Sequence, residues 1–354
     1  MHVLVTGGGS GGHVIPAIPV MEALRAQGHQ VSYVGTTSGY EERLLNGVDM
    51  QYHGISSGKL RRYLSFENLK DVFKVLLGIV QAFFLLGRLR PDVVFSKGGF
   101  VAFPVVLAGW LRRVPVISHE SDFSPGLANR LSRPFVRTLC TSFAETRIPG
   151  FSGREVHTGS PLRPEFLTGD AVRGRARFDL PADRPVLVVI GGSLGARKLN
   201  EVVRLAVVPL TKRYEVVHIC GPGNAEDLQQ PGYHPLEYIS EGLADLLMAA
   251  DIVISRAGAN SLFELLTLRK LCLLVPLSAA ASRGDQIENA RYAESRGFSL
   301  VIEEPALRPE TLIEGLVSLE RQADSYRERL ATFERKDAVA ALLDEIKALA
   351  PARH

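Results

Sequence analysis

The chain is poor in the residues that build disulfide frameworks, metal sites and membrane spans. It has three cysteines in 354 residues, Cys140, Cys220 and Cys272, each isolated and each following an apolar stretch. That pattern excludes a disulfide scaffold and reads as small core residues in a reducing compartment. No His, Cys, Asp or Glu spacing matches a metal-ligand motif, and no Asp-x-Asp pattern occurs, so a metal-held nucleotide diphosphate is not expected. The most hydrophobic segment, Val75 to Gly87, is bounded by Lys74 and Arg88 and interrupted by Gln81. It falls short of the roughly 20 residues that span a bilayer. Met1 to Thr6 reads as a strand and not as a signal peptide. An excess of one charge is missing too: 41 basic against 38 acidic residues give a net charge of +3, too mild to point to nucleic acid. The expectation is a cytoplasmic protein, at most peripheral to a membrane.

Against these absences stand two glycine-rich turns. Val3 to Thr6 runs into Gly7-Gly8-Gly9-Ser10-Gly11-Gly12-His13, and Val186 to Ile190 runs into Gly191-Gly192-Ser193-Leu194-Gly195. A strand ending in such a turn directs bare N–H groups and a helix N-terminus at one spot, which favours phosphate. Gly7, Gly9 and Gly12 fit a dinucleotide fingerprint by spacing. That fingerprint needs an acidic residue at the end of the second strand. Here the second strand ends in Gly35-Thr36-Thr37, with no carboxylate before Glu41, so the NAD or FAD reading is disfavoured.

The length suits about two domains. Strands and helices alternate in the first half: a helix over Ile15 to Ala26, then strands over Gln30 to Val34, Asp92 to Phe95 and Val114 to Ser118, the last ending at His119-Glu120. Nearly continuous apolar strands in such an alternation predict parallel, doubly wound sheets, with ligands at the carboxyl ends of the strands. The Gly- and Pro-rich stretch His157 to Pro164 reads as the junction. Residues 1–160 form the first α/β domain and 161–337 the second, with strands over Glu215 to Cys220, Leu236 to Ile239, Ile252 to Ser255 and Cys272 to Val275. A helix over about 338–354 is expected to pack back on the first domain. The two domains are expected to face a shared cleft.

Three segments carry chemistry. His13 follows the first turn, where a helix N-terminus lowers an imidazole's pKa and suits a neutral general base. In Ser255 to Glu264, Ala259, Asn260 and Ser261 open a helix whose N–H groups suit phosphates, and Glu264 suits a ribose diol. In Ser282 to Ala290, Asp285 and Gln286 open another helix, placed to bond sugar hydroxyls. Without a metal, a leaving diphosphate is stabilised by helix N-termini, backbone amides and Arg.

These residues carry a resemblance that runs in order through Thr6 to His13, Ser56 to Tyr63, His119 to Asp122, Gly159 to Arg163, Gly191 to Arg197, Ser255 to Gly258 and Asp285 to Ala290. The chain resembles the family 28 glycosyltransferases that add N-acetylglucosamine to the lipid-linked precursor of peptidoglycan. The resemblance implies a GT-B fold of two Rossmann-like domains and UDP-N-acetylglucosamine held by the second. It implies an acceptor of undecaprenyl-diphosphate-linked N-acetylmuramoyl pentapeptide (lipid I) and an inverting, metal-independent transfer to its C4 hydroxyl, with no cofactor. By motif position, Glu264 takes the ribose, Gln286 a sugar hydroxyl, Ser193 and Arg163 the diphosphate or donor, and Ile239 the uracil through its backbone. Ser10, Gly11, Gly12 and His13 form the first domain's side of the cleft, Ser10 standing where Thr is common. His13 is the expected base, with Glu120 and Asp122 as rivals. Asp122 stands where the family often has Asn, and a carboxylate accepts from a sugar hydroxyl but cannot donate.

Phe73 to Leu89 is more apolar than one buried face needs, with Lys74, Arg88, Arg90, Arg112, Arg113 and Trp110 nearby in sequence. With a lipid acceptor implied, this segment points to peripheral binding at an anionic membrane surface, on the cytoplasmic face. The alternatives are a UDP-sugar epimerase or hydrolase on the same scaffold, a transferase for another lipid acceptor, or a non-catalytic polyprenyl-diphosphate binder.

Overall fold

The computed structural model describes residues 1–58, 66–192, 195–226, 228–280 and 282–351, with residues 66–70 described by backbone alone. The chain divides into two compact units, Met1–Arg163 with Lys336–His354, and Pro164–Arg335. Unit 1 carries β1 (His2–Thr6), β2 (Gln30–Thr36), β3 (Gln51–Ile55), β4 (Val93–Ser96), β5 (Val116–Glu120), β6 (Thr138–Thr141) and β7 (Arg154–His157). They form one seven-stranded sheet in the order β3-β2-β1-β4-β5-β6-β7, every pairing parallel. Unit 2 carries β8 (Val186–Ile190), β9 (Glu215–Ile219), β10 (Tyr233–Leu236), β11 (Ile252–Ser255), β12 (Leu271–Leu274) and β13 (Leu300–Val301). Their order is β10-β9-β8-β11-β12-β13, again all parallel.

The near-continuous apolar strands are explained by helices on both faces. Successive side chains of a strand alternate between faces. Val3 and Val5 join a core with Met21, Leu24 and Phe95, while Leu4 joins one with Val34, Val94 and Val105. The Ala338–Leu349 helix returns to unit 1 and buries Leu342, Leu343 and Ile346 in the first of these cores. Each such side chain contributes about 1.5–3 kcal/mol. Asp337 caps this helix by accepting from the Ala340 N–H at 2.9 Å.

Several local expectations change. The helix read over Ile15 to Ala26 is two pieces, a 3-10 turn Ile15–Ala17 and a helix Ile18–Ala26, preceded by a short helix Gly11–Val14, because Pro16 and Pro19 supply no backbone N–H. The fifth strand runs to Glu120, so His119 and Glu120 lie inside it and are buried. The tenth ends at Leu236, leaving Ile239 in the loop beyond. The apolar segment read as Val75 to Gly87 sits on a 24-residue helix, Phe66–Leu89. Its Asp71–Leu89 portion is long and apolar enough to cross a membrane by length and composition. Yet Ala82 and Leu86 are in the core of unit 1, and a Cβ at Gly78 would lie 2.2 Å from the Ser56 carbonyl, so one face is docked on the protein.

In each sheet the strand order reverses once, between β1 and β4 and between β8 and β11. The carboxyl ends of these strands form the crevice where doubly wound sheets bind ligands.

Candidate active site

The two switch points are built alike. Each has a glycine turn after its first strand and, one residue beyond its fourth, a buried cation: Lys97 in Ser96-Lys97-Gly98-Gly99 and Arg256 in Ser255-Arg256-Ala257-Gly258. The sequence reading gave neither cation a role. Their signal was the repeated Ser-cation-x-Gly after the strand.

In unit 1, Lys97 is fully buried. Its Nζ donates to the Ser121 hydroxyl at 2.8 Å and lies 2.5 Å from His119 Nδ1. His119 Nε2 lies 3.0 Å from the Gly159 carbonyl, which can only accept. Nε2 therefore carries the proton and Nδ1 accepts from Lys97. Burial, with the Lys97 charge beside it, holds His119 well below its ordinary pKa of 6.5. The Lys97 carbonyl lies 3.1 Å from His13 Nδ1. The same logic puts the His13 proton on Nδ1 and a lone pair on Nε2, the form a general base needs.

Burial pushes Lys97 down from 10.5 to about 7, against the opposing pull of the Glu120 and Asp122 carboxylates. The unfolded chain keeps this proton to about pH 10 while the folded chain releases it near 7, so stability rises with pH across that window. Lys97→Met should flatten the rise by up to one proton, about 1.4 kcal/mol per pH unit. Urea unfolding between pH 7.5 and 9.5 checks this, and equal slopes for the two proteins would contradict it.

The other expected residues of unit 1 differ in exposure. Ser10 and Gly12 are exposed, Gly11 is buried, and His13, Asp122 and Arg163 are half-buried. Glu120 is 2% exposed. Its carboxylate accepts from the Asp122 N–H at 3.1 Å, the Gly126 N–H at 2.8 Å and Asn129 Nδ2 at 2.8 Å. It shapes the turn after β5, which makes it a poor rival to His13 as a base.

In unit 2 a cavity of about 650 Å³ opens at the switch point. It is lined by Gly191, Gly192 and Gly195, by Arg197 and Lys198 at the start of the Arg197–Leu205 helix, and by Arg256, Gln286 and Glu304. Glu304 Oε1 accepts from Arg256 at 2.5 Å and Oε2 from the Ser278 N–H at 3.1 Å. Burial alone would raise the Glu304 carboxyl, but bonds from Arg256 and Ser278 override it and hold it below its ordinary value. Gln286 Oε1 accepts from the Leu277 N–H at 2.9 Å, which leaves its amide N–H groups as the donors of this side chain. Among the described residues nothing lies within 4 Å of a Cβ built at Gly192, Gly258 or Gly284. These glycines leave room beside the backbone.

The Gln286 expectation falls in this cavity. Ala259, Asn260 and Ser261 form the first turn of the Ala259–Thr267 helix and Glu264 its second. Glu264 and the loop residue Ile239 are outside the cavity's lining. Ser193, like Lys59 to Tyr63 of the resemblance, lies outside the described residues. Arg197, Lys198, Arg256, Ser278 and Glu304 are polar lining groups to which the sequence reading gave no role.

Two parallel doubly wound sheets, each with a glycine turn at its switch point, define the GT-B class of fold, and the polar cavity lined by cations and N–H groups at the second suits an anionic ligand. The crystal structure of Acinetobacter baumannii MurG has this fold, with a TM-score of 0.79 and 28% identity over 98% of this chain and 99% of that one. The chain belongs to glycosyltransferase family 28, whose N-terminal domain matches residues 3–141 and C-terminal domain residues 186–343. Two relatives are named UDP-N-acetylglucosamine–N-acetylmuramyl-(pentapeptide) pyrophosphoryl-undecaprenol N-acetylglucosamine transferase. One, from Legionella pneumophila (strain Lens), is 44% identical over 98% of this chain and 96% of its own length. The other, from Clostridium perfringens (strain ATCC 13124), is 44% identical over 98% and 97%.

Proposed function

We propose that this chain transfers N-acetylglucosamine from UDP-N-acetylglucosamine to undecaprenyl-diphosphate-linked N-acetylmuramoyl pentapeptide, a step of peptidoglycan synthesis. The observation that carries it is 44% identity over nearly the whole chain to relatives named for this reaction. Unit 2 supplies the donor site and unit 1 the acceptor side.

The acceptor's C4 hydroxyl attacks the anomeric carbon from the face opposite UDP, inverting it. The hydroxyl proton passes to His13 Nε2. The O–C bond forms as the bond to UDP breaks, and UDP leaves with the electron pair. Backbone N–H groups of the second glycine turn, with Arg197 and Lys198 at the adjoining helix start, stabilise the diphosphate charge without a metal. Among the described residues no group of three or more His, Cys, Asp and Glu is placed to hold a metal ion. Glu264 accepts the ribose hydroxyls, Gln286 donates to the sugar, and Ile239 meets the uracil.

A membrane role for the Phe66–Leu89 helix is supported by its outer face, where Val72, Phe73, Leu76, Leu77, Val80 and Phe84 are 44–67% exposed. Arg112 lies over the Phe83 ring at 3.9 Å and Trp110 is half exposed, which suits peripheral binding to anionic lipid at the cytoplasmic face.

The test is label transfer from UDP-N-acetylglucosamine to the lipid acceptor in anionic vesicles, with EDTA present and the product linkage read by NMR. The expected result is a β-1,4 product and UDP, with a raised donor KM in Glu264→Ala. Epimer or free sugar without acceptor, or a strict need for a divalent cation, would overturn the reading.

A further inference from the structure

The glycines of the first turn are accounted for by the protein's own side chains. A Cβ at Gly7 would lie 3.0 Å from Lys97 Cβ, one at Gly8 2.4 Å from Glu41 Oε1, and one at Gly9 (φ +88°) 2.1 Å from the Phe100 ring. In the second turn a Cβ at Gly191 would lie 2.7 Å from Ala196 N and one at Gly195 2.1 Å from the Cys220 carbonyl, both backbone, while Gly192 is open; among the described residues no side-chain anion is a nearest neighbour of any of the three. The space beside Gly7, Gly8 and Gly9 is occupied, and the occupant beside Gly8 is an anion.

That anion is the Glu41 carboxylate, 1% exposed. Oε1 accepts from the Gly9 N–H at 3.0 Å. Oε2 accepts from the Thr36 N–H at 3.2 Å, from the Thr36 hydroxyl at 2.6 Å and, at 3.5 Å, from the Tyr52 hydroxyl. Burial alone would raise its pKa, but the bonds from Thr36 and Gly9 outweigh it and hold it below the ordinary value. The sequence reading noted Glu41 only as a carboxylate too late for a ribose. Folded, it is the acidic group beyond β2, turned inward onto the glycine run.

We propose that Glu41 is the resident anion of the first glycine turn and a positioning residue for the reaction: it ties Gly9 to the end of β2 and so holds the segment Ser10 to His13 in one shape. The proposal rests on the transferase reading for its kinetic consequence. His13 lies four residues beyond Gly9, in the short Gly11–Val14 helix, with its ring on the Lys97 carbonyl. A shift of the turn moves that ring. Glutamine is not an adequate replacement. Both carboxylate oxygens face N–H donors, so one side of the amide would meet a donor with a donor.

The experiment compares wild type, Glu41→Ala, Glu41→Gln and His13→Ala in the transfer assay, with and without sodium formate at constant ionic strength. UDP affinity and thermal midpoint are measured alongside. Turnover of Glu41→Ala should fall about 10- to 100-fold, the scale of a misplaced catalytic group, with UDP affinity unchanged. Formate, a carboxylate small enough for the vacated space, should restore much of that loss and raise the midpoint of this variant. It should do neither for wild type, for His13→Ala, or for Glu41→Gln, where the amide fills the space. Normal turnover in Glu41→Ala, a parallel loss of UDP binding, or a loss that formate leaves untouched would overturn the proposal. The midpoint readout does not depend on transfer, so it tests the resident anion even where the transferase reading fails. Normal turnover in His13→Ala removes the base assignment alone.

Discussion

Replacing His13 with alanine should lower turnover by about 10²–10⁴-fold, the usual worth of general-base assistance, and leave UDP affinity as it was. The expectation follows from the tautomer. The Lys97 carbonyl, 3.1 Å from Nδ1, can only accept, so the proton sits on Nδ1 and Nε2 carries the lone pair. The ring is half-buried at the carboxyl edge of the sheet, beside the strand-order reversal. Glu120 lies at the same edge, but its carboxylate accepts three bonds that shape its own turn. Asp122 is the remaining rival. His13→Gln, which keeps a polar side chain but cannot take the proton at neutral pH, should be as slow as His13→Ala. Near-normal turnover in both variants would transfer the role to Asp122.

Much of this was legible in the sequence. The glycine turns, the parallel alternation and the chemistry-bearing strand ends are local patterns of a few residues, and local patterns survive without coordinates. The proline-broken first helix was misread because the apolar period continued through Pro16 and Pro19. Strands β3, β6 and β7 were not singled out. β3 and β7 are the sheet edges, where half-exposed residues such as His53 and His157 blur the apolar signal, and β6 is buried but has only four residues, two of them Thr. The largest omissions are the groups whose meaning depends on a distant partner. Glu41 acts on Gly9, 32 residues away, Lys97 on His119, 22 away, and Arg256 on Glu304, 48 away. No periodicity encodes such pairings. Only the fold brings them together.

Glu304→Ala should be the most damaging single change in unit 2. The Arg256 and Glu304 side chains are 9% and 14% exposed. Removing one member of such a pair leaves the other buried without its counter-charge, which costs about 3–5 kcal/mol. It also releases the Ser278 N–H, so the segment from Leu277, held on its other side by Gln286, loses one of its two clamps. Donor KM should rise together with the loss of stability. Because the folded Glu304 carboxyl is held below its ordinary value, its contribution is present above that value and is lost as pH falls through the folded one. Arg256→Met combined with Glu304→Leu separates the two effects, since an apolar pair of similar volume often recovers the stability of a buried ion pair. The double variant should regain most of the midpoint and still bind the donor poorly. Full recovery of donor KM in it would mean that the pair serves stability alone.

The central claim is that the two glycine turns are unequal: the second receives the nucleotide, and the first is filled by Glu41. Amide hydrogen exchange of the intact chain with and without UDP tests it directly. The expected result is slowed exchange in the second turn and the Arg197–Leu205 helix start, from Gly258 through the Ala259–Thr267 helix, and around Leu277 to Gln286, with the amides of Gly7 to His13 unchanged. Slowed exchange at Gly7 to His13 with none at the second turn would contradict it.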